Sequence, residues 1–260
     1  MEQTKKNFLN ISRAECRLVY KNVLASSDKR WKLVKQLSSE EDFGMAISVS
    51  IISIEELVKA IILFLDGNGF DFRKIKGMNS FFKNHEIRFV VAYIMFVIIL
   101  LGDELKALFI KIKDNPNKIS QIEKELQNES VFFERKKIYF FRKLITLKRE
   151  LLWFSKVEIF RQEGFYSDYN GILKSPIETT PHEFWEVYRR LKRVRTFGLE
   201  FIKYVETSEE SVVKQITQIK KDLKSKGVYK KIELGLLFLK KEKQRPFYFL
   251  INSLNNILKE

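Results

Sequence analysis

The stretch "AISVSIISIEELVKAIILFL", residues 46–65, decides the fold. Apart from three serines and the charged trio Glu55, Glu56 and Lys59, it is apolar on every side. A helix that is greasy all round belongs in a protein interior. Charges there must be paired, because taking an ion out of water is costly. Helical spacing puts Ser48, Ile51, Ile52, Glu55 and Lys59 on one face, with Glu55 and Lys59 set for an intrahelical ion pair. The run therefore predicts a central helix whose acids and base either anchor a bundle or belong to a functional cluster.

Outward from this helix, punctuation is sparse. Ten Gly and four Pro serve 260 residues, and Pro116, Pro176 and Pro181 fall where helical patterns stop, so long helices and an all-α fold are expected. With 45% hydrophobic residues the chain can bury a large core. The pattern predicts a helix over 8–25, a break at "SSDK" (26–29), and the central helix starting from Ser38 or Ser39. After a loop over 66–77, a start near Asn79 or Asn84 leads through "FVVAYIMFVIILLG" (89–102) to about Lys113. That apolar run is about fourteen residues, short of the roughly twenty a bilayer requires, so a buried core helix and no membrane insertion are expected. Residues 117–163 read as one long or kinked helix, and 161–184 as a loop. Thr179 or Thr180 before Pro181 reads as a fresh helix start, with later breaks near 207–211 and at Gly227. Two regions are expected: a helical bundle over 1–180 and a basic helical region over 181–260 packing on it.

The balance of 48 basic against 33 acidic residues, net +15, suits a polyanionic partner such as RNA, DNA or an anionic membrane surface, or leaves a passive basic surface. One cysteine excludes an intrachain disulfide framework and fits a reducing cytoplasm. One Cys and two His build no Cys/His metal site unless carboxylates join them. The N-terminus does not read as a secretion signal, and Walker-type, HExxH and GxSxG motifs are absent. In "FFKNHEIRF", His85 falls in the first turn of the apolar helix with Arg88 three residues on, a pair suited to phosphodiester chemistry: imidazole moves a proton while guanidinium holds a phosphate oxygen. The run "RRLKRVR" offers Arg189, Arg190, Lys192, Arg193 and Arg195 beside Trp185, Tyr188 and Phe197. Bases interleaved with rings suit single-stranded nucleic acid, though such runs also form plain solvated faces. Arg135 to Arg149 holds seven basic residues and no acid.

Three pieces in order, "AISVSIISIEELVKAIIL" (46–63), "FFKNHEIR" (81–88) and "RQEGFYSDYNGILKSP" (161–176), resemble the AbiV family of abortive-infection proteins within the HEPN group. The resemblance spans roughly residues 8–205. It implies a dimeric helical bundle that acts in phage defence and targets RNA. HEPN ribonucleases are metal-independent and share a site across a dimer, with an Arg four to six residues from a His. Here no Arg precedes His85 or His182 at that spacing, and Arg88 follows His85 instead. Carried over residue by residue, the resemblance implies a cluster of Glu55, Lys59, His85 and Arg88 supported by Glu56, Arg161 and Tyr166. In it His85 is general acid or base, Glu55 orients it, and Arg88 or Lys59 steadies the charged phosphorane. The ribose hydroxyl attacks, so no metal or other cofactor is called for. The alternative is a non-catalytic protein that senses a phage protein or binds RNA or translation machinery.

Overall fold

The computed structural model describes residues 6–114, 144–169 and 173–207, with isolated positions between 217 and 251. The fold is all-α: α1 (Arg13–Ser39), α2 (Phe43–Gly67), α3 (Met78–Lys83), α4 (His85–Asp114), α5 (144–154), α6 (Val157–Glu163) and α7 (Pro181–Glu206). A two-residue antiparallel ribbon, Asp168–Tyr169 with Leu173–Lys174, sits in the loop before α7. The segment 115–143, including much of the basic run Arg135 to Arg149, lies outside the described residues.

α2 is the axis of the fold. Its Ile51, Ile54, Leu57, Val58 and Leu63 are fully buried, and α1, α6 and α7 pack around it. α1 runs unbroken through Ser26–Lys29, where a break was predicted. Cap-type residues favour breaks because their side chains bond to the nearby backbone, but here tertiary partners take them. Ser27 donates to the Ser53 carbonyl at 2.7 Å and Ser53 donates back to the Ser27 carbonyl at 2.8 Å, clasping α1 to α2. Ser38 and Ser39, expected to open α2, instead close α1 by bonding back to the Lys35 and Gln36 carbonyls. Asp42 is the cap of α2, accepting from the Met45 amide.

Asn84 accepts from the Glu86 amide at 2.8 Å, which separates α3 from α4 and fixes where α4 begins. Phe89, Ala92, Tyr93, Met95 and Phe96 bury one face of α4. The other face leaves Ile94 and Ile98 about half exposed, so the apolar run is half-buried and not enclosed. No described helix is long and apolar enough to cross a membrane. The predicted long helix over 117–163 breaks, in its described part, at residues 155–156 between α5 and α6. Thr180 caps α7 in a reciprocal capping box with Glu183, as the Thr-Pro pattern predicts. Phe184, Val187, Leu191, Val194 and Ile202 of α7 enter the same hydrophobic core as α2.

Candidate active site

Glu55 stands mid-way along α2 with its side chain 3% exposed, ringed by apolar neighbours. The start of α4 answers it. His85 occupies the first position and Arg88 lies one turn on, so both side chains reach the same carboxylate. Arg88 Nε and Nη2 donate to Glu55 Oε2 at 3.1 and 2.8 Å, and His85 Nδ1 lies 2.7 Å from the same oxygen. Arg88 Nη1 donates to the Phe81 and Phe82 carbonyls, each at 3.1 Å, and Nη2 also meets His85 Nδ1 at 2.8 Å. Four of the five N–H groups of Arg88 are thereby used, and the fifth finds an acceptor in the tautomer whose Nδ1 is unprotonated.

Arg88, 3% exposed, lies beneath the site, where it holds Glu55 and lies against His85. His85 is different, since its side chain is 44% exposed. Its Nδ1 sits between an acceptor, Glu55, and a donor, Arg88, so either tautomer finds a partner inside. Nε2 is the ring nitrogen left for chemistry, as acceptor in one tautomer and donor in the other.

α6 forms the third wall. Ser48 of α2 donates to the Arg161 carbonyl at 2.7 Å. Gly164 packs so tightly that a Cβ there would lie 2.1 Å from the Gly44 carbonyl oxygen. This docking brings Arg161 Nε to 4.0 Å from Glu55 Oε1. Arg161 grips Glu158 with Nε at 3.0 Å and Nη2 at 2.6 Å, and Gln162 adds a third bond at 3.0 Å. Burial pushes the Glu158 carboxyl up, but the Arg161 bonds, with His85 and Gln162 nearby, outweigh it and hold the group below its usual range. The same Glu158 bond raises Arg161. Glu55 Oε1 is the one buried side-chain oxygen or nitrogen among the described residues without a hydrogen-bond partner. Ligand atoms of Glu55, His85 and Glu158 lie within 4.8 Å of one another, a spacing a cation could use. Two guanidiniums already neutralise both carboxylates there, so the charge balance does not favour one.

The other expected residues fall elsewhere. Lys59 donates to Glu56 at 2.7 Å, one turn back, instead of pairing with Glu55. Tyr166 is 67% exposed, with its ring against Phe165. In α7, Arg189, Lys192 and Arg193 are exposed, the last lying over the Phe96 ring. Arg190 bonds to Glu150 and Glu186 and lies over Trp153 at 4.8 Å. Arg195, expected to meet RNA, is a core residue: it is 8% exposed, bonds to Ser27 and Asp28, and lies over Trp31. Helical spacing explains this, because residue 195 falls on the buried face with Leu191, Val194 and Gly198. Glu158 was missed, although its i, i+3 spacing to Arg161 was a readable ion-pair signal.

The structure is thus a helical bundle that buries a Glu–Arg pair beneath a half-exposed His, with the Arg three residues after the His. The AbiV family model of the HEPN group matches residues 15–196, well over half of the chain. The chain belongs to the AbiV family, which places it in abortive-infection defence. No significant match is found among curated proteins or among solved structures.

Proposed function

We propose that this protein is an abortive-infection effector that cuts RNA without a metal ion and so stops translation. One observation carries the reading: a half-exposed His85 is held by a buried Glu55–Arg88 pair. A general base needs a fixed ring with one nitrogen free. In this mechanism His85 Nε2 takes the proton of the ribose 2′-hydroxyl, which attacks the adjacent phosphorus. Cleavage then leaves a 2′,3′-cyclic phosphate and a free 5′-hydroxyl, with the proton returned to the departing oxygen. Arg161, closer to solvent than Arg88, supplies positive charge to the phosphorane. Exposed Arg189, Lys192 and Arg193 hold the strand. Two copies meet through the apolar α4 face at Ile94 and Ile98, and a phage protein acts as trigger.

Incubating purified protein with RNA in EDTA, followed by sequencing of RNA ends, tests this. Cleavage giving cyclic phosphate ends, lost in His85→Ala, is the expected result. A strict requirement for divalent metal would sink it. A second reading has its own support: Arg88 is buried against Glu55 and two carbonyls and both carboxylates are neutralised, as in a purely structural lock. If His85→Ala keeps both defence and RNA binding while no cleavage is found in wild type, the protein is a non-catalytic binder of RNA or of a phage protein.

A further inference from the structure

The two guanidiniums of the cluster are held differently. Arg88 is 3% exposed, with Nη1 bonded to two carbonyls and Nη2 to Glu55. Arg161 is 19% exposed; its Nε and Nη2 donate to Glu158, and its Nη1 has no hydrogen-bond partner among the described residues. The pairing with Glu158 therefore takes one edge of the guanidinium. The adjoining edge, Nη1 with the second N–H of Nη2, has the fork spacing that meets two oxygens of a phosphate.

An alternative partner for Arg161 lies close by. Its Nε is 4.0 Å from Glu55 Oε1, the buried acceptor that lacks a hydrogen bond. A buried carboxylate oxygen without a donor is costly, and an inward shift of about 1 Å would close that gap to a hydrogen bond. Glu158 opposes the shift. It accepts from Arg161 at 3.0 and 2.6 Å, and Gln162 on the same helix steadies its carboxylate at 3.0 Å. Two carboxylates thus compete for one guanidinium.

We propose that Glu158 is a positioning residue: it holds the Arg161 guanidinium back from Glu55 and keeps the Nη1–Nη2 edge available to the substrate phosphate beside His85. Without Glu158, Arg161 turns inward to Glu55 Oε1 and becomes a second buried structural guanidinium. An ordinary i, i+3 ion pair on a helix surface would have no such consequence, because removing it frees both ends to water. The phosphate part of this inference rests on the RNA-cleaving reading; the competition between the two carboxylates does not.

Two measurements test the two parts. In a crystal structure of Glu158→Ala, Arg161 Nε is expected within hydrogen-bond distance of Glu55 Oε1. A guanidinium that keeps its place or turns out to solvent overturns the inference, whether or not the protein cleaves RNA. In cleavage assays Glu158→Ala is expected to lower kcat about 10²-fold while KM stays within about three-fold, since the lost contact matters most to the charge of the phosphorane. Glu158→Gln, which keeps one acceptor for Arg161, is expected to fall between Ala and wild type. Adding Arg161→Ala to Glu158→Ala should lower kcat no further, because the guanidinium is already withdrawn. An unchanged kcat in Glu158→Ala, or losses that simply multiply in the double variant, overturns the positioning role. Should Glu158→Ala fail to fold, Glu158→Gln carries both measurements, because a neutral amide holds a guanidinium more weakly than the Glu55 carboxylate does. If wild type cleaves no RNA while Arg161 moves inward as expected, the RNA-cleaving reading falls and the competition for Arg161 stands.

Discussion

His85 and Arg88 sit three residues apart, yet their removal should have opposite signatures. Arg88→Ala strands the buried Glu55 carboxylate and two helix-end carbonyls, at a cost of about 3–5 kcal/mol. Urea unfolding should show this directly. Arg88→Lys should not restore stability, since an ammonium cannot span the same acceptors. His85→Ala removes a half-exposed ring and should cost no more than about 1.5 kcal/mol. In a cleavage assay the same change should lower the rate about 10²–10⁴-fold. A stable Arg88→Ala protein would contradict the picture of a buried Glu55–Arg88 pair. Glu158 gives a pH signature. Its carboxyl is held low when folded, so the unfolded chain binds the proton more tightly. The stabilisation is then complete above the ordinary carboxylate pKa near about 4.3 and fades as pH falls through the lower folded value. Glu158→Gln should remove that increment at neutral pH and so flatten the acid limb of a stability–pH curve, leaving stability at the lowest pH unchanged.

At the scale of elements, α6 is where packing and site depend on each other most. Gly164 touches the α2 backbone because it lacks a Cβ, and that contact sets the depth at which Arg161 approaches Glu55. Gly164→Ala forces the two backbones apart. It should cost about 1–3 kcal/mol by overpacking and should lower cleavage more than it lowers stability. Comparing its melting curve with its cleavage rate checks this; normal activity in a destabilised protein would detach α6 from the chemistry. The clasp of Ser27 and Ser53 shows the converse, a buried polar pair that brings helices close.

At the scale of the molecule, a net charge of +15 gives an affinity for polyanions that should fall with salt. Of the basic run, Arg189, Lys192 and Arg193 are exposed, while Arg190 is engaged by Glu150 and Glu186 and Arg195 is buried. Replacing all three with Ala should flatten the log affinity versus log salt slope for single-stranded RNA by about 2. Arg195→Ala should instead destabilise the fold, because that side chain ties α7 to α1. In the dimer reading, Ile94→Asp should convert the species to monomer in light scattering, and a mass unaffected by it would remove α4 from the contact.

The sequence by itself determined the helical class, the central place of residues 46–65 and the start of α7, while the grouping of Glu55 with His85 and Arg88 was implied only by the family resemblance. The first three follow from local periodicity and capping chemistry. Tertiary structure alone decided which partner each charge took. Lys59 turned to Glu56, Arg88 gave four N–H groups to two carbonyls and Glu55, and Arg195 went into the core. It also kept α1 whole through Ser26–Lys29 and brought Glu158 beside His85. Such choices are made between segments distant in the chain, where distance and desolvation set the winner, and neither quantity is written in a local run of residues.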